Sequence, residues 1–301
     1  MPAPIRPVTT VKAPVESRTA PRTNRSRRFR LRNLNLIGGA LSWVWLLIVL
    51  VPIYWIVITS FKTQSNYYAT NPLAPPSSLT FSNYKLVLQN DFLSYFLNSV
   101  IVTIGSIVPA VVISFMAAFA IIRGGGVFLK SVNGLFLMGL AIPLQAVIIP
   151  VYLIIIKLKL YDSLLAMILP SIAFAIPLSV LVLANFIRDV PKELFESMRV
   201  DGASEWTTLW RLVMPLTRPA LVTVAIYNGL GVWNGFLLPL ILTQSPDKRT
   251  LPLALWTFQS QYGVNVPAVL ASVVLTTLPI VILYAIGRRQ LMSGLTAGFS
   301  K

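Results

Sequence analysis

The sequence predicts an all-α membrane protein with six transmembrane helices and both termini in the cytoplasm. Three observations carry this. Hydrophobic residues fill 55% of the 301 positions and charged residues only 11%, with a mean hydropathy of +0.74; a soluble domain carries about 25% charge. Six apolar runs of roughly 20 residues, the length that crosses about 30 Å of hydrocarbon, alternate with polar connections. The charge is lopsided, 25 Lys and Arg against nine Asp and Glu, for a formal +16. In a soluble chain that excess points to nucleic acid; in a hydrophobic one it reports orientation.

Residues 1–32 form a basic tail with nine Arg and Lys and one acid, Glu16. The tail is rich in Pro, Arg and Thr and has little to bury, so it is read as a disordered cytoplasmic segment. Residues 33–301 make the transmembrane domain. Its spans are 37–59, 97–122, 135–156, 164–187, 220–242 and 268–287, and none holds Asp, Glu, Lys or Arg. The first is too long for a cleaved signal and lacks a small-residue cleavage site. Arg27-Arg28 resembles a twin-arginine signal only loosely, and five further spans follow it.

With the tail inside, nineteen of the 25 positive residues share the cytoplasmic face. Lys62, Lys85, Lys157, Lys159, Lys248 and Arg249 remain outside. The positive-inside rule therefore places both termini in the cytoplasm. The tail is a topological anchor or a polybasic contact with membrane lipid; no nucleic-acid partner is expected. Pro143 and Pro150 interrupt the third span, Pro170 and Pro177 the fourth, and Gly229, Gly231 and Pro239 the fifth. Membrane helices tolerate such breaks where neighbours or cavity water satisfy the freed backbone groups.

Chemistry is restricted by what is missing. Without Cys or His there is no disulfide, no thiol nucleophile, no imidazole base and no Cys/His metal site. The expectation is a protein that is not an enzyme and holds no cofactor or metal of its own. Gly124-Gly125-Gly126 is a plain turn, because no Lys–Ser/Thr pair follows it to cradle phosphates.

One connection differs from the rest. Residues 188–218 hold five of the nine acids, Asp189, Glu193, Glu196, Asp201 and Glu205, on the side where positives belong. Pro191 suits a first helical position, with Asp189 before it as a cap. Gly202 stops that helix in the left-handed conformation, and Ser204 caps a second. Trp206, Leu209, Trp210 and Val213 then recur at helical spacing, and Pro215 and Pro219 end or kink the second helix before the fifth span. The hairpin either rests on lipid headgroups or docks a cytoplasmic partner. Its acids argue against a simple attachment to an anionic leaflet.

Glu196-Ser197-Met198, Asp201-Gly202-Ala203-Ser204 and Pro215-Leu216 through Pro219 resemble the E-A-A-x-x-x-G loop of permease subunits in ATP-binding-cassette (ABC) importers. The likeness to the maltose-type carbohydrate branch continues in Ser60-Phe61-Lys62-Thr63, Asn98-Ser99, Ile142-Pro143 with Ile149-Pro150-Val151-Tyr152, and Val232-Trp233-Asn234 with Phe236 and Pro239-Leu240. Leu251-Pro252-Leu253 and Gly294-Leu295-Thr296-Ala297-Gly298 complete it, so the resemblance covers residues 37–301. The chain departs from the pattern at Ser197 and Met198, where the family has alanines, at Gly235, and in Ala118-Phe119-Ala120 before Arg123.

The resemblance implies a type I ABC importer permease fold in a bacterial inner membrane. It implies a second homologous permease subunit, two ATPase subunits that bind ATP and Mg, and an extracytoplasmic solute-binding protein. Glu196, Asp201, Gly202 and Ala203 would form the ATPase-coupling turn, and Trp206, Leu209 and Trp210 would fill the ATPase cleft or pack on this chain's own helix ends. The tail from Thr296 to Lys301 would reach toward the ATPases. Gln145, Tyr227, Asn228, Trp233 and Asn234 are costly in a span unless they face a cavity or another helix, so they line the substrate path or bond between helices. The implied cargo is a sugar or oligosaccharide; the alternatives are another solute on the same machinery, or an ion-coupled transporter. An ion-coupled protein needs an intramembrane charge, and the six spans hold none.

Overall fold

The computed structural model describes residues 36–255, 259–260 and 263–297. The basic tail 1–32 and the final residues 298–301 lie outside the described residues. The chain divides into two compact units, Met1–Val49 and Leu50–Lys301. Of the first, the described part is the opening of helix α1 (Leu36–Ser60), an exposed apolar stretch. The remaining helices are α2 (Gln64–Ala69), α3 (Ser82–Gln89), α4 (Phe92–Gly124), α5 (Gly126–Leu140), α6 (Leu144–Lys157), α7 (Leu164–Arg188), α8 (Lys192–Val200), α9 (Glu205–Thr208), α10 (Met214–Trp233), α11 (Leu237–Leu242), α12 (Leu251–Ala254) and α13 (Val266–Ala297). Residues Gln259–Ser260 and Gly263–Val264 pair as a two-stranded antiparallel ribbon, β1 and β2.

Among the described residues, four helices are long and apolar enough to cross a membrane: Gly38–Ser60, Phe92–Gly124, Leu164–Arg188 and the continuous rod Glu205–Trp233. The expected third span differs. It is a bent pair, α5 and α6, meeting at 106°. Pro143 causes the break, because its ring excludes the residue before it from the helical region; Pro143 itself is extended, at ψ 138°. The expected fifth span also differs, ending at Trp233, with α11 a separate helix after the turn at Asn234. Among the described residues, the shorter apolar helix Val266–Ile282 opens α13.

Small residues let the long helices meet. A Cβ on Gly105 of α4 would stand 3.1 Å from Ile168 Cδ1 of α7, and one on Gly139 of α5 would stand 3.2 Å from Pro177 Cγ. Ala110 and Ala118 of α4 and Ala175, Ser179 and Ala184 of α7 are buried. Close backbone approach is how membrane helices gain packing where lipid is as apolar as Leu.

The other end of the bundle is held by polar clasps. Asn98 donates to the carbonyls of Asp247 and Arg249 at 2.7 and 2.9 Å, and Leu251 N donates to Ser99 Oγ. Two sequence motifs far apart in the chain, Asn98-Ser99 and Leu251-Pro252-Leu253, are therefore partners. Trp233 joins them, buried with Tyr95, Leu251 and Ala254 and edge-on to Phe96 at 5.9 Å. Lys62 is fully buried; its ammonium donates to Thr70 Oγ1 and to the carbonyls of Asn71 and Pro72.

Asp162, in the loop between α6 and α7, accepts from Gln244 N, Ser245 N and the Ser245 hydroxyl. These donors, the hydroxyl first, hold its carboxyl below the ordinary carboxylate range. Stabilising the charged form lowers the folded pKa, so the contribution is complete above the ordinary value of 3.8 and is lost as the pH falls from there through the folded value. Asp162→Asn is expected to show a shallower fall in melting temperature below about pH 4 than wild type; an acid limb identical to wild type would contradict this.

Candidate functional site

The hairpin of residues 188–218 forms as two helices fused to the bundle. The first, α8, starts after Pro191, which sits at the cap position with no side-chain cap bond. Asp189 does not cap it, contrary to the sequence reading: it closes α7, its N–H bonding the Asn185 carbonyl. At the other end of α8, Gly202 N donates to Arg199 O and Ala203 N to Met198 O. Those two bonds make a Schellman turn. Gly202 takes φ +73°, a left-handed value that glycine adopts without steric cost. Ser204 then caps α9 by accepting from Thr207 N at 3.2 Å, as expected.

Pro215 does not end the second helix. A π turn over Leu209–Val213 links α9 to α10, so the second helix of the hairpin and the span form one rod. The wide turn shifts the hydrogen-bond ladder, and Pro215 follows it at the opening of α10, where its missing N–H costs least. The second helix of the hairpin is therefore continuous with the span that follows it.

Core packing binds it further. Phe195, Leu209 and Val213 share one buried cluster with Phe115, Ala118 and Phe119 of α4, Leu183, Ala184 and Ile187 of α7, and Ala220 and Val224 of α10. Leu209 is 3% exposed and Trp210 packs against the same cluster, edge-on to Phe115 at 6.0 Å. Leu209 and Trp210 thus pack on this chain. Trp206 remains 59% exposed, edge-on to Trp210, and Glu196, Asp201 and Gly202 are exposed around the turn. Among the described residues Glu196 forms no ion pair.

Arg123, at the end of α4, ties both hairpin helices. Its guanidinium lies 4.6 Å from the Phe195 ring centre and 3.2 Å from Glu205 Oε1. Sequence reasoning did not select Arg123 or Phe195 as site residues. The signal was present as an arginine ending a span, but its partners are 72 and 82 positions away.

A second feature is a cavity of about 590 Å³ beside the break between α10 and α11. Tyr227, Asn228 and Asn234 line it, with Ser171, Phe174 and Thr250. Tyr227 is 64% exposed. Asn228 donates to Ser179 Oγ and Val224 O, and Asn234 to Leu230 O. Two of the five expected path residues lie elsewhere. Trp233 is packed in the cluster with Tyr95 and Leu251, and Gln145 is exposed on α6 away from the cavity lining. Trp233 turns away because it follows Val232 by about 100° around the helix. Ser171 and Phe174, within the apolar run of the fourth span, carried no sequence signal.

A family model described as "Binding-protein-dependent transport system inner membrane component" matches residues 110–291, which include the hairpin and the core cluster it packs into. The chain belongs to this family of inner-membrane transport components. The permease is 41% identical over 258 residues to the putative ABC transporter permease protein ORF2 of Caldicellulosiruptor sp., covering 86% of this chain and 94% of that one. It is 34% identical over 254 residues to the diacetylchitobiose uptake system permease protein DasC of Streptomyces coelicolor, covering 83% and 91%. Its fold matches a crystal structure of a bacterial ABC transporter that imports the polysaccharide alginate, with a TM-score of 0.74 at 20% identity, over 84% of this permease and 95% of that chain. It is a multi-pass membrane protein.

Proposed function

We propose that this permease forms half of the translocation path of an ATP-driven importer for an oligosaccharide. The carrying observation is that the second helix of the hairpin and the cavity-lining span are one continuous rod, Glu205–Trp233, which starts three residues after the exposed Gly202 turn. The sugar assignment is supported by relatives whose names specify diacetylchitobiose, arabinooligosaccharides and trehalose. The chain crosses the membrane six times, with α5 and α6 as one broken span and α13 as the last. The tail 1–32 and the hairpin face the cytoplasm, as the distribution of positive charge requires.

A second permease subunit completes the path, and two ATPase subunits carry ATP and Mg; this chain holds neither and is not itself an ATPase. A solute-binding protein delivers the sugar from outside. The Gly202 turn, with Glu196, Asp201, Ala203 and Trp206 around it, enters the ATPase cleft. Leu209 and Trp210 transmit its displacement inward. Closure of the ATPase pair then rocks α10 against α4 and α7 and opens the cavity to alternate sides, a rigid-body transition.

In the cavity, Tyr227 offers an aromatic face and Asn228 and Asn234 offer amides for sugar hydroxyls. Tyr227→Ala is expected to raise the half-saturating sugar concentration for uptake about fivefold, the worth of one aromatic contact near 1 kcal/mol, while Tyr227→Phe changes it little. Equal uptake by Tyr227→Ala and wild type would remove Tyr227 from the path.

The deciding experiment is co-purification with the candidate ATPase, second permease and binding protein, followed by an ATPase assay in liposomes. Stimulation by binding protein plus one oligosaccharide is the expected result. Stimulation by a non-sugar solute alone would overturn the cargo, and failure to associate with any ATPase would overturn the coupling scheme.

A further inference from the structure

Nothing in the packing of α10 requires a glycine at position 231. Gly105 and Gly139 admit a neighbouring helix, and Gly235 sits in the turn after α10, where a Cβ would stand 3.0 Å from Val232 O. Gly231 lies inside α10, where glycine weakens a helix relative to alanine. Its φ is outside the left-handed region, and nothing stands within 4 Å of the place its Cβ would take. Gly39 and Gly134 share that freedom but lie outside the cavity of about 590 Å³ beside the break between α10 and α11; Gly231 lines it.

The residues around this space indicate what fits it. Tyr227, Asn228, Gly231, Asn234 and Gly235 all line the cavity, and at about 100° per residue they share one face of α10 and the turn that follows. Gly231 therefore lies between the amides of Asn228 and Asn234, whose positions are about 9 Å apart along the helix axis. Asn228 commits both amide hydrogens, to Ser179 Oγ and Val224 O, and Asn234 commits one, to Leu230 O. Among the described residues no donor reaches either Oδ1. The pair thus keeps two acceptors and one N–H for a ligand, and the cavity lining holds no charged side chain. Hydroxyls both donate and accept, so an uncharged polyol satisfies this set. An apolar helix or acyl chain laid over Gly231 would bury the same groups without partners, which is costly.

We propose that Gly231 is the floor of a sugar cradle on α10, its missing side chain leaving the room in which a sugar ring lies between the Asn228 and Asn234 amides. The proposal rests on the sugar reading of the cavity and adds to it the residue that sets the clearance. A side chain placed at 231 enters the cavity and displaces no protein atom.

The test uses the importer assembled in liposomes with its second permease, ATPases and binding protein. Wild type is compared with Gly231→Ala, Gly231→Leu and, on the opposite face of α10, Gly229→Ala, whose added Cβ meets Ile107 and Thr103 only at 4.0 Å. Radiolabelled trehalose, diacetylchitobiose and arabinotriose are the cargoes. For the sugar that wild type takes up, uptake is expected to fall about threefold in Gly231→Ala and about tenfold or more in Gly231→Leu, the scale of added methylenes in a fitted pocket. Gly229→Ala should stay within about twofold of wild type. The melting temperatures of both Gly231 variants should equal or exceed that of wild type, because helix propensity rises and no contact is displaced. Full uptake by Gly231→Leu would remove the cradle and leave the sugar reading standing, whereas wild type that carries another solute and none of these sugars would sink both. A lower melting temperature, or loss of the second permease when Gly231→Leu is co-purified, would reassign the glycine to close helix packing and reject the cradle.

Discussion

Gly202→Val is expected to abolish sugar-stimulated ATP hydrolysis and uptake while leaving the protein inserted and folded. The reason is the backbone. Gly202 holds φ +73°, and nothing lies within 4 Å of the position a Cβ would take, so a side chain meets no obstacle there. The left-handed conformation costs an ordinary residue about 1–2 kcal/mol, and a β-branched residue suffers most. That cost is enough to break the two Schellman bonds, Gly202 N to Arg199 O and Ala203 N to Met198 O, and to redirect α9 relative to α8. Gly202→Asn is the control, since Asn enters the left-handed region readily; it should retain most uptake. The measurements are binding-protein-stimulated ATPase activity, uptake into liposomes and far-UV circular dichroism. Normal uptake by Gly202→Val would show that the turn is not the coupling element.

The hairpin was the part of the site most legible in the sequence, and for a physical reason. A glycine stop and a serine cap act over three or four residues, so Gly202 and Ser204 announce themselves locally. Capping failed at Asp189 because a span ends there, and the orphan groups of α7 claimed the residue before α8 could. Pro215 misled because its effect depends on the π turn at Leu209–Val213, which widens the helix where a tighter turn would have broken.

Long-range partnerships were not legible. The motif residues Asn98 and Ser99 stand about 150 positions from the backbone they clasp, and nothing in either stretch names the other. Periodicity marks Trp233 and Tyr227 alike as aromatic residues in a span, yet one is core and one lines the cavity. Lys62 reads as an ordinary outward charge. Its burial against three oxygens becomes visible only once residues 70–72 fold back over it. Span 135–156 illustrates a third case: composition marks an apolar stretch but is blind to direction, and the chain there is a pair of helices, Gly126–Leu140 and Leu144–Lys157, bent by 106°.

Phe195→Ala is expected to uncouple the permease, lowering uptake more than tenfold while basal ATP hydrolysis by the associated ATPase persists. Phe195 is the one buried residue of α8. It shares one buried cluster with Phe115, Phe119 and Ile187 of the bundle core, with the Arg123 guanidinium over its ring. The other residues of α8 are exposed or half-buried, so the helix is attached to the membrane domain through this side chain and the turns at its ends. Truncating a buried Phe to Ala costs about 3–5 kcal/mol. The loss falls first on the docking of α8, whose other anchors are weak. The half-exposed Arg123–Glu205 pair contributes at most about 1 kcal/mol, and the cation–π contact a similar amount. An undocked α8 still presents Glu196 and Gly202 to the ATPase but no longer moves α4 and α7 with them. Phe195→Leu keeps most of the buried volume and should keep most uptake. In a double-mutant cycle, Arg123→Ala should cost less in the Phe195→Ala background than in wild type, because the ring it stacks on is gone. Independent, additive losses would show that Arg123 acts through Glu205 alone, and full uptake by a folded Phe195→Ala protein would show that the force travels through the π turn and not through α8.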